Sequence, residues 1–388
     1  MFSERTNWRL AQNRFTQAVE EVRAAGKKIF DLTASNPTRV GLEYDAAAIL
    51  KAVGSPRALD YDPQAKGLLE AREAVAEYYR GEHEICGLEA ERIVLTTSTS
   101  EGYSFVFRLL CNAGDELLVP KPSYPLFEFL ADLQDVKLVP YPLIYDHGWQ
   151  MDFPSLEQAL TKRTRGVVLV HPNNPTGSYV HADEMILLNA FCREHQLALI
   201  VDEVFLDYRL NDGPRASFAG NQEALTFTLS GLSKISALPQ MKVAWVVTSG
   251  PPEEVAAAMG RLEVIADTYL SMNAPVQWAV PAMLEQRTPI QRQVLARVRN
   301  NLAELDRQLA GQQACQRLSV EGGWYAVLWV PVTRSDEELA IALVQEKAVV
   351  VHPGHFYDFP RDGCLVLSLI TPESEFGEGI ARAMEFLN

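Results

Sequence analysis

The chain has 388 residues, 47% of them apolar, enough for a sizeable core and for two or three domains. Lys and Arg total 35 against 50 Asp and Glu, a formal net charge of −15, which argues against nucleic acid or an anionic membrane surface as a main partner. Cys86, Cys111, Cys192, Cys315 and Cys364 form no C-x-x-C pair, the N-terminus with Glu4, Arg5 and Arg9 is no signal peptide, and no run approaches the ~20 apolar residues of a membrane span, so a reduced cytoplasmic protein is expected.

In chain order, an amphipathic helix is expected from about Trp8 to Ala25, with Leu10, Phe15, Val19 and Val22 on one face and Gly26 at its end. An extended stretch over 29–32 leads into the turn-rich Ser35-Asn-Pro-Thr-Arg39. Short β-branched runs then recur at 93–95, 116–119, 136–139, 167–170, 198–201, 226–229 and 243–248, with helical patterns such as 101–110 and 183–193 between many of them. This alternation predicts an α/β fold, a mostly parallel seven-stranded sheet covered by helices on both faces. From about Ala279 the texture changes: a long helical stretch marked by Leu295, Val298, Leu302 and Leu305, a strand over 322–329, a helix over 336–346, and strands at 349–354 and 365–369. Residues 46–280 are read as a large domain, and 1–45 together with 281–388 as a smaller α+β domain. There is no internal repeat, low-complexity tract or helix-turn-helix module.

Three polar signatures each follow a buried-type run: His171-Pro-Asn-Asn-Pro-Thr-Gly177, Val201-Asp-Glu-Val-Phe205 and Ser230-Gly-Leu-Ser-Lys234. Ligands of open α/β sheets collect at the carboxyl ends of the strands, where these lie. A lysine, an aspartate and an asparagine so placed suit pyridoxal 5′-phosphate, the lysine as Schiff-base partner and the aspartate on the pyridinium nitrogen. Thr97-Ser-Thr-Ser-Glu-Gly102 opens a helix after a strand, and free N–H groups there suit a phosphate, with Thr99 and Ser100 as the expected contacts.

In this order and at these separations, with Pro353-Gly354 further on, the motifs resemble the class I/II pyridoxal-phosphate-dependent aminotransferases of fold type I, nearly end to end. The resemblance implies ping-pong transfer of an amino group between an amino acid and a 2-oxo acid, in a homodimer with shared sites. It implies that Lys234 forms the Schiff base and moves the proton, Asp202 pairs with the ring nitrogen, Asn174 donates to the cofactor O3′ and Tyr124 stacks on the ring. Ser230 and Lys242 would complete the phosphate shell, with Tyr61 reaching the phosphate of the partner subunit.

Three positions depart from the family pattern. Lys242 stands where relatives carry arginine, keeping the charge without the bidentate fork. Phe205 stands where a tyrosine donates to O3′. Val366, in Cys364-Leu-Val-Leu-Ser368, stands where an arginine holds the substrate carboxylate. Arg39, in the loop with Ser35, and Arg361, before the strand, are the expected replacements. His352-Pro-Gly-His355 with Asp358 reads as a loop over the site, and no metal is expected. Two other outcomes fit the same residues: a decarboxylase or C–S/β-eliminating lyase, and a weakly catalytic cofactor-binding regulator.

Overall fold

Buried β-branched runs become strands because both of their faces are covered. In the computed structural model, which describes the chain apart from Arg9, Pro214, Arg215, Ser271 and Asn388, fourteen strands are present in chain order. They are β1 (Phe30–Asp31), β2 (Ile93–Thr96), β3 (Glu116–Lys121), β4 (Lys137–Tyr145), β5 (Trp149–Met151), β6 (Thr164–Val170) and β7 (Ala198–Asp202). After them come β8 (Thr226–Gly231), β9 (Ala244–Ser249), β10 (Gln316–Arg317), β11 (Tyr325–Trp329), β12 (Val349–Val350), β13 (His352–Pro353) and β14 (Cys364–Ser368).

The large sheet has eight strands in the order β2-β9-β8-β7-β6-β3-β4-β5. Five of them, β4, β3, β6, β7 and β8, run parallel, while β9 is antiparallel to both its neighbours. The strand added to the seven expected ones is β5, three residues folded back on β4 and too short for a periodic reading. Every residue of β7, β8 and β9 is buried, as expected of strands with helices on both faces.

A second sheet, β10-β11-β14-β13, is antiparallel throughout. β1 pairs in parallel with β12, which ties the N-terminal segment to the C-terminal one. One apolar cluster runs from Phe15, Ala18 and Val22 through Val294 and Val298 to Ile380 and Met384.

The N-terminal helix begins at Arg14 rather than near Trp8. The Asn13 side chain accepts from Thr16 N and caps it there, while Leu10 stays exposed; Arg9 lies outside the described residues. Gly26 takes a positive φ of 70° just past the helix end. The long stretch after Ala279 is two helices, Ala274–Glu285 and Arg287–Leu309, and the helix Asp336–Ala342 continues as a π turn to Lys347. Among the described residues no helix is long and apolar enough to cross a membrane.

Candidate active site

The pairing register decides which loops meet. Thr96 pairs with Ala244, which pairs with Gly231; Leu229 pairs with Asp202, and Asp202 with Val170. The carboxyl ends of β2, β8, β7 and β6 therefore share one edge of the sheet. That edge presents the helix start at Thr99, the turn carrying Lys234, Asp202 itself, and the loop carrying Asn174.

Lys234 sits in a short helical turn, Leu232–Ile235, whose backbone is held by the Tyr208 hydroxyl donating to the Lys234 carbonyl at 2.6 Å. Its Nζ lies 4.8 Å from the centroid of the Trp324 ring and 5.4 Å from that of Phe205. Burial among these rings pushes the amine down to about 8, and the charge of Asp202 pulls the other way. Asp202 ends its strand 7% exposed, its Oδ1 accepting from Val204 N at 3.0 Å and its Oδ2 from the Tyr103 hydroxyl at 3.2 Å. Burial raises its carboxyl to about 6, and those two donors with Lys234 oppose the rise. Its neighbour Glu203 turns away into the core, where it accepts from Ser217 Oγ and Phe218 N, both at 2.6 Å.

Around this pair stand most of the other expected groups. Asn174 Oδ1 is buried with no hydrogen-bond partner among the described residues. Tyr124 lies near enough for the Asp202 charge to help raise its hydroxyl, to about 12, after burial as the main cause. Ser98 caps the helix Thr99–Leu110 by accepting from Glu101 N, and Glu101 returns to accept from Thr97 N. The first-turn N–H groups of Thr99 and Ser100 have no intrahelical partner to find and face the edge. Ser230 is buried, its hydroxyl 3.5 Å from the Glu203 carbonyl. Lys242, exposed, takes a positive φ of 55° two residues before β9 begins.

Arg39 and Arg361 are not drawn in, and Tyr61, expected at the phosphate of a partner subunit, lies away from this chain's own edge. Tyr61 is 81% exposed, in a hollow with Asp60, Asp62 and Leu270. Arg39 is exposed in the turn Pro37–Arg39. Arg361 stacks 4.8 Å over Trp329, at the opposite end of β11 from Tyr325. Ser35, by contrast, hydrogen-bonds Tyr325, whose ring lies 6.1 Å from that of Phe205. Val366 is 1% exposed within the small sheet.

Sequence reasoning passed over Tyr103 and Trp324. Tyr103 falls four residues after Thr99, one helical turn along, a spacing that faces it toward whatever Thr99 faces. Trp324 carried no such signal, since Gly322-Gly-Trp-Tyr reads only as the start of a strand.

The edge fits pyridoxal phosphate. An enclosed amine of lowered basicity and a buried carboxylate match an aldehyde and a ring nitrogen in turn, and the Asn174 side chain has amide N–H groups to offer a phenolate oxygen. A helix start with unpaired N–H groups matches a phosphate.

The family model for "Aminotransferase class I and II" matches residues 18–376. The glutamate-pyruvate aminotransferase of Escherichia coli K12 is 30% identical over 67% of this chain, and the match spans 64% of that protein's length. The alanine aminotransferase of Mycobacterium tuberculosis is 27% identical over 96% of this chain and 88% of its own. Among solved structures, the alanine aminotransferase from Pyrococcus furiosus superposes with a TM-score of 0.91 at 21% identity, covering 100% of this chain and 99% of that one.

Proposed function

The chain belongs to the class I and II aminotransferases, and from that premise we propose that it moves an amino group between an amino acid and a 2-oxo acid, using pyridoxal phosphate bound at Lys234. The observation that carries this reading is the amine of Lys234, lowered to about 8, beside a buried Asp202 on one sheet edge.

Each residue then has a task. The Lys234 amine, partly neutral at physiological pH, would hold the cofactor through its aldehyde carbon. Asp202, held by Tyr103 and Val204 N, would pair with the ring nitrogen and keep it protonated. Asn174 would offer its amide N–H to the ring oxygen, and Tyr124 would cover the ring. Thr99 and Ser100 would hold the phosphate, helped by Ser230 and Lys242. When bound, the cofactor draws electrons from the substrate α-carbon and makes its proton acidic. Lys234 would take and return the substrate α-proton as a general base and acid. Trp324 and Phe205 keep water from the amine.

The expected division, with residues 46–280 holding the cofactor and 1–45 plus 281–388 closing over it, suits this arrangement. So does a homodimer, because Tyr61, with its hydroxyl in solvent, is available to a second copy. A cytoplasmic location accords with five free thiols.

The test is to mix the cofactor-loaded protein with amino acids one at a time and follow the absorbance of the cofactor. Conversion to a stable amine form, reversed by a 2-oxo acid, is the expected result. Release of carbon dioxide or ammonia instead would assign the site to a decarboxylase or lyase.

A further inference from the structure

Val366 lies at the centre of β14, flanked by Val327 on β11 and by His352 on β13. Directly opposed residues of antiparallel strands put their side chains on the same face, and residues two apart along a strand share that face. One face of the small sheet thus carries Tyr325 and Ser368 at one end, Val327, Val366 and His352 across the middle, and Trp329 and Cys364 at the far end. The Tyr325 end meets the site: Ser35 hydrogen-bonds Tyr325, and the Ser368 hydroxyl donates to the Ala34 carbonyl at 2.5 Å. In the middle row only His352 has a polar side chain.

His352 is half-buried, and its Nδ1 lies 3.0 Å from the Tyr357 hydroxyl. Burial raises the Tyr357 hydroxyl well above its ordinary value and holds it protonated. A protonated phenol can donate to Nδ1, and in that arrangement the remaining proton of a neutral imidazole sits on Nε2. No described residue takes that Nε2 proton.

Resting on the amino-transfer reading above, we propose that His352, oriented by Tyr357, receives the substrate carboxylate through its Nε2–H. Its neighbours in the middle row, Val366 and Val327, offer a carboxylate no donor; the Tyr325 and Ser368 hydroxyls lie at one end of the face, Ser368 already donating to Ala34, and Arg361 is stacked on Trp329 at the other end. One imidazole replaces a guanidinium fork, so the grip is single-pronged and depends on protonation. Two groups face the imidazole: Asp31 on β1, which favours its cationic form, and the neutral Tyr357 hydroxyl. Burial outweighs Asp31 and keeps the imidazole neutral until an anion arrives. An entering carboxylate adds to the effect of Asp31, and His352 takes up a proton as the substrate binds.

The experiment uses the full chain loaded with pyridoxal phosphate. The probes are 2-methylalanine, which has no α-proton to lose, and isopropylamine, its counterpart without the carboxylate. Binding of each is read from the shift of the cofactor band. The wild type is expected to prefer 2-methylalanine by roughly ten- to hundredfold, the worth of one hydrogen bond to a charged group. His352→Phe should erase that preference and leave isopropylamine binding unchanged. The second readout is the His352 imidazole pKa by NMR in the wild type, which needs no folded variant. It should rise with 2-methylalanine and stay put with isopropylamine. A preference that survives in folded His352→Phe, or an imidazole pKa indifferent to the carboxylate probe, overturns the proposal. Neither readout requires turnover, so a failure of amino transfer itself would show separately, in the single-amino-acid assay.

Discussion

The carboxyl edge of the eight-stranded sheet and the inner face of the four-stranded sheet look toward the same space and are built in opposite ways. The edge is polar by construction, because parallel strands deliver Asn174, Asp202 and Lys234 from successive loops at one level. The face is apolar by construction. Across its middle Val327 and Val366 are packed and only His352 carries a polar side chain, with Tyr325 and Ser368 at one end. Loops at a strand end can hold charge without disturbing the core, whereas a charge in mid-strand must displace packing. Of the three departures from the family pattern, Phe205 and Lys242 belong to the edge and Val366 to the face.

Substitutions on the edge should act through the cofactor. The largest effect is expected for Lys234→Ala, a loss of at least about 10⁴-fold in turnover, the upper end for a positioned proton carrier. Borohydride reduction followed by peptide mapping should place the pyridoxyl group of the wild type on Lys234. A label on Lys242 would move the centre of the site and break the contrast. Next comes Asp202→Asn, which leaves the ring nitrogen without its buried counter-charge. Cofactor affinity should weaken by about 3 kcal/mol, roughly a hundredfold, as measured by equilibrium binding to the apoprotein. In the empty site Asp202 takes its proton as pH falls through about 6, so cofactor affinity should be full above that pH and weaken below it.

The rate of covalent capture should follow the Lys234 amine. A group of pKa about 8 is mostly charged at pH 7 and mostly neutral at pH 9, so capture should speed up with rising pH by about tenfold. Stopped-flow mixing of apoprotein and cofactor reads this directly; a flat profile would mean that the rings of Trp324 and Phe205 do not enclose the amine as placed. Phe205→Tyr should lower the pKa read from the cofactor band of the loaded enzyme by about one unit, or 1.4 kcal/mol, because a phenol can donate to the ring oxygen. A rise in that pKa would put Phe205 out of reach of the oxygen.

The smallest effects are expected at the two arginines outside the face. Arg39→Gln and Arg361→Gln should each leave kcat/KM within about threefold, less than about 1 kcal/mol, since both guanidinium groups lie toward solvent. A hundredfold loss at either would restore it as the carboxylate anchor and sharpen the contrast in the other direction.

Much of this was legible in the chain itself. The alternation of β-branched runs with helical patterns identifies a parallel sheet, and polar motifs after those runs identify its carboxyl edge, because burial on both faces leaves a strand little freedom of composition. That logic places Lys234, Asp202 and Asn174 at one edge, and the resemblance to the family supplies their roles. The three-residue β5 was too short to show a period, and the N-terminal helix began at Asn13 because a side-chain cap outweighed the apolar signal of Leu10. What tertiary structure alone decided was pairing across long separations in the chain. Tyr103 reaches Asp202 across 99 residues, Trp324 comes to rest over Lys234, and His352 falls beside Val366. Strand register sets such neighbours, and register is a property of the assembled sheet that no single segment carries.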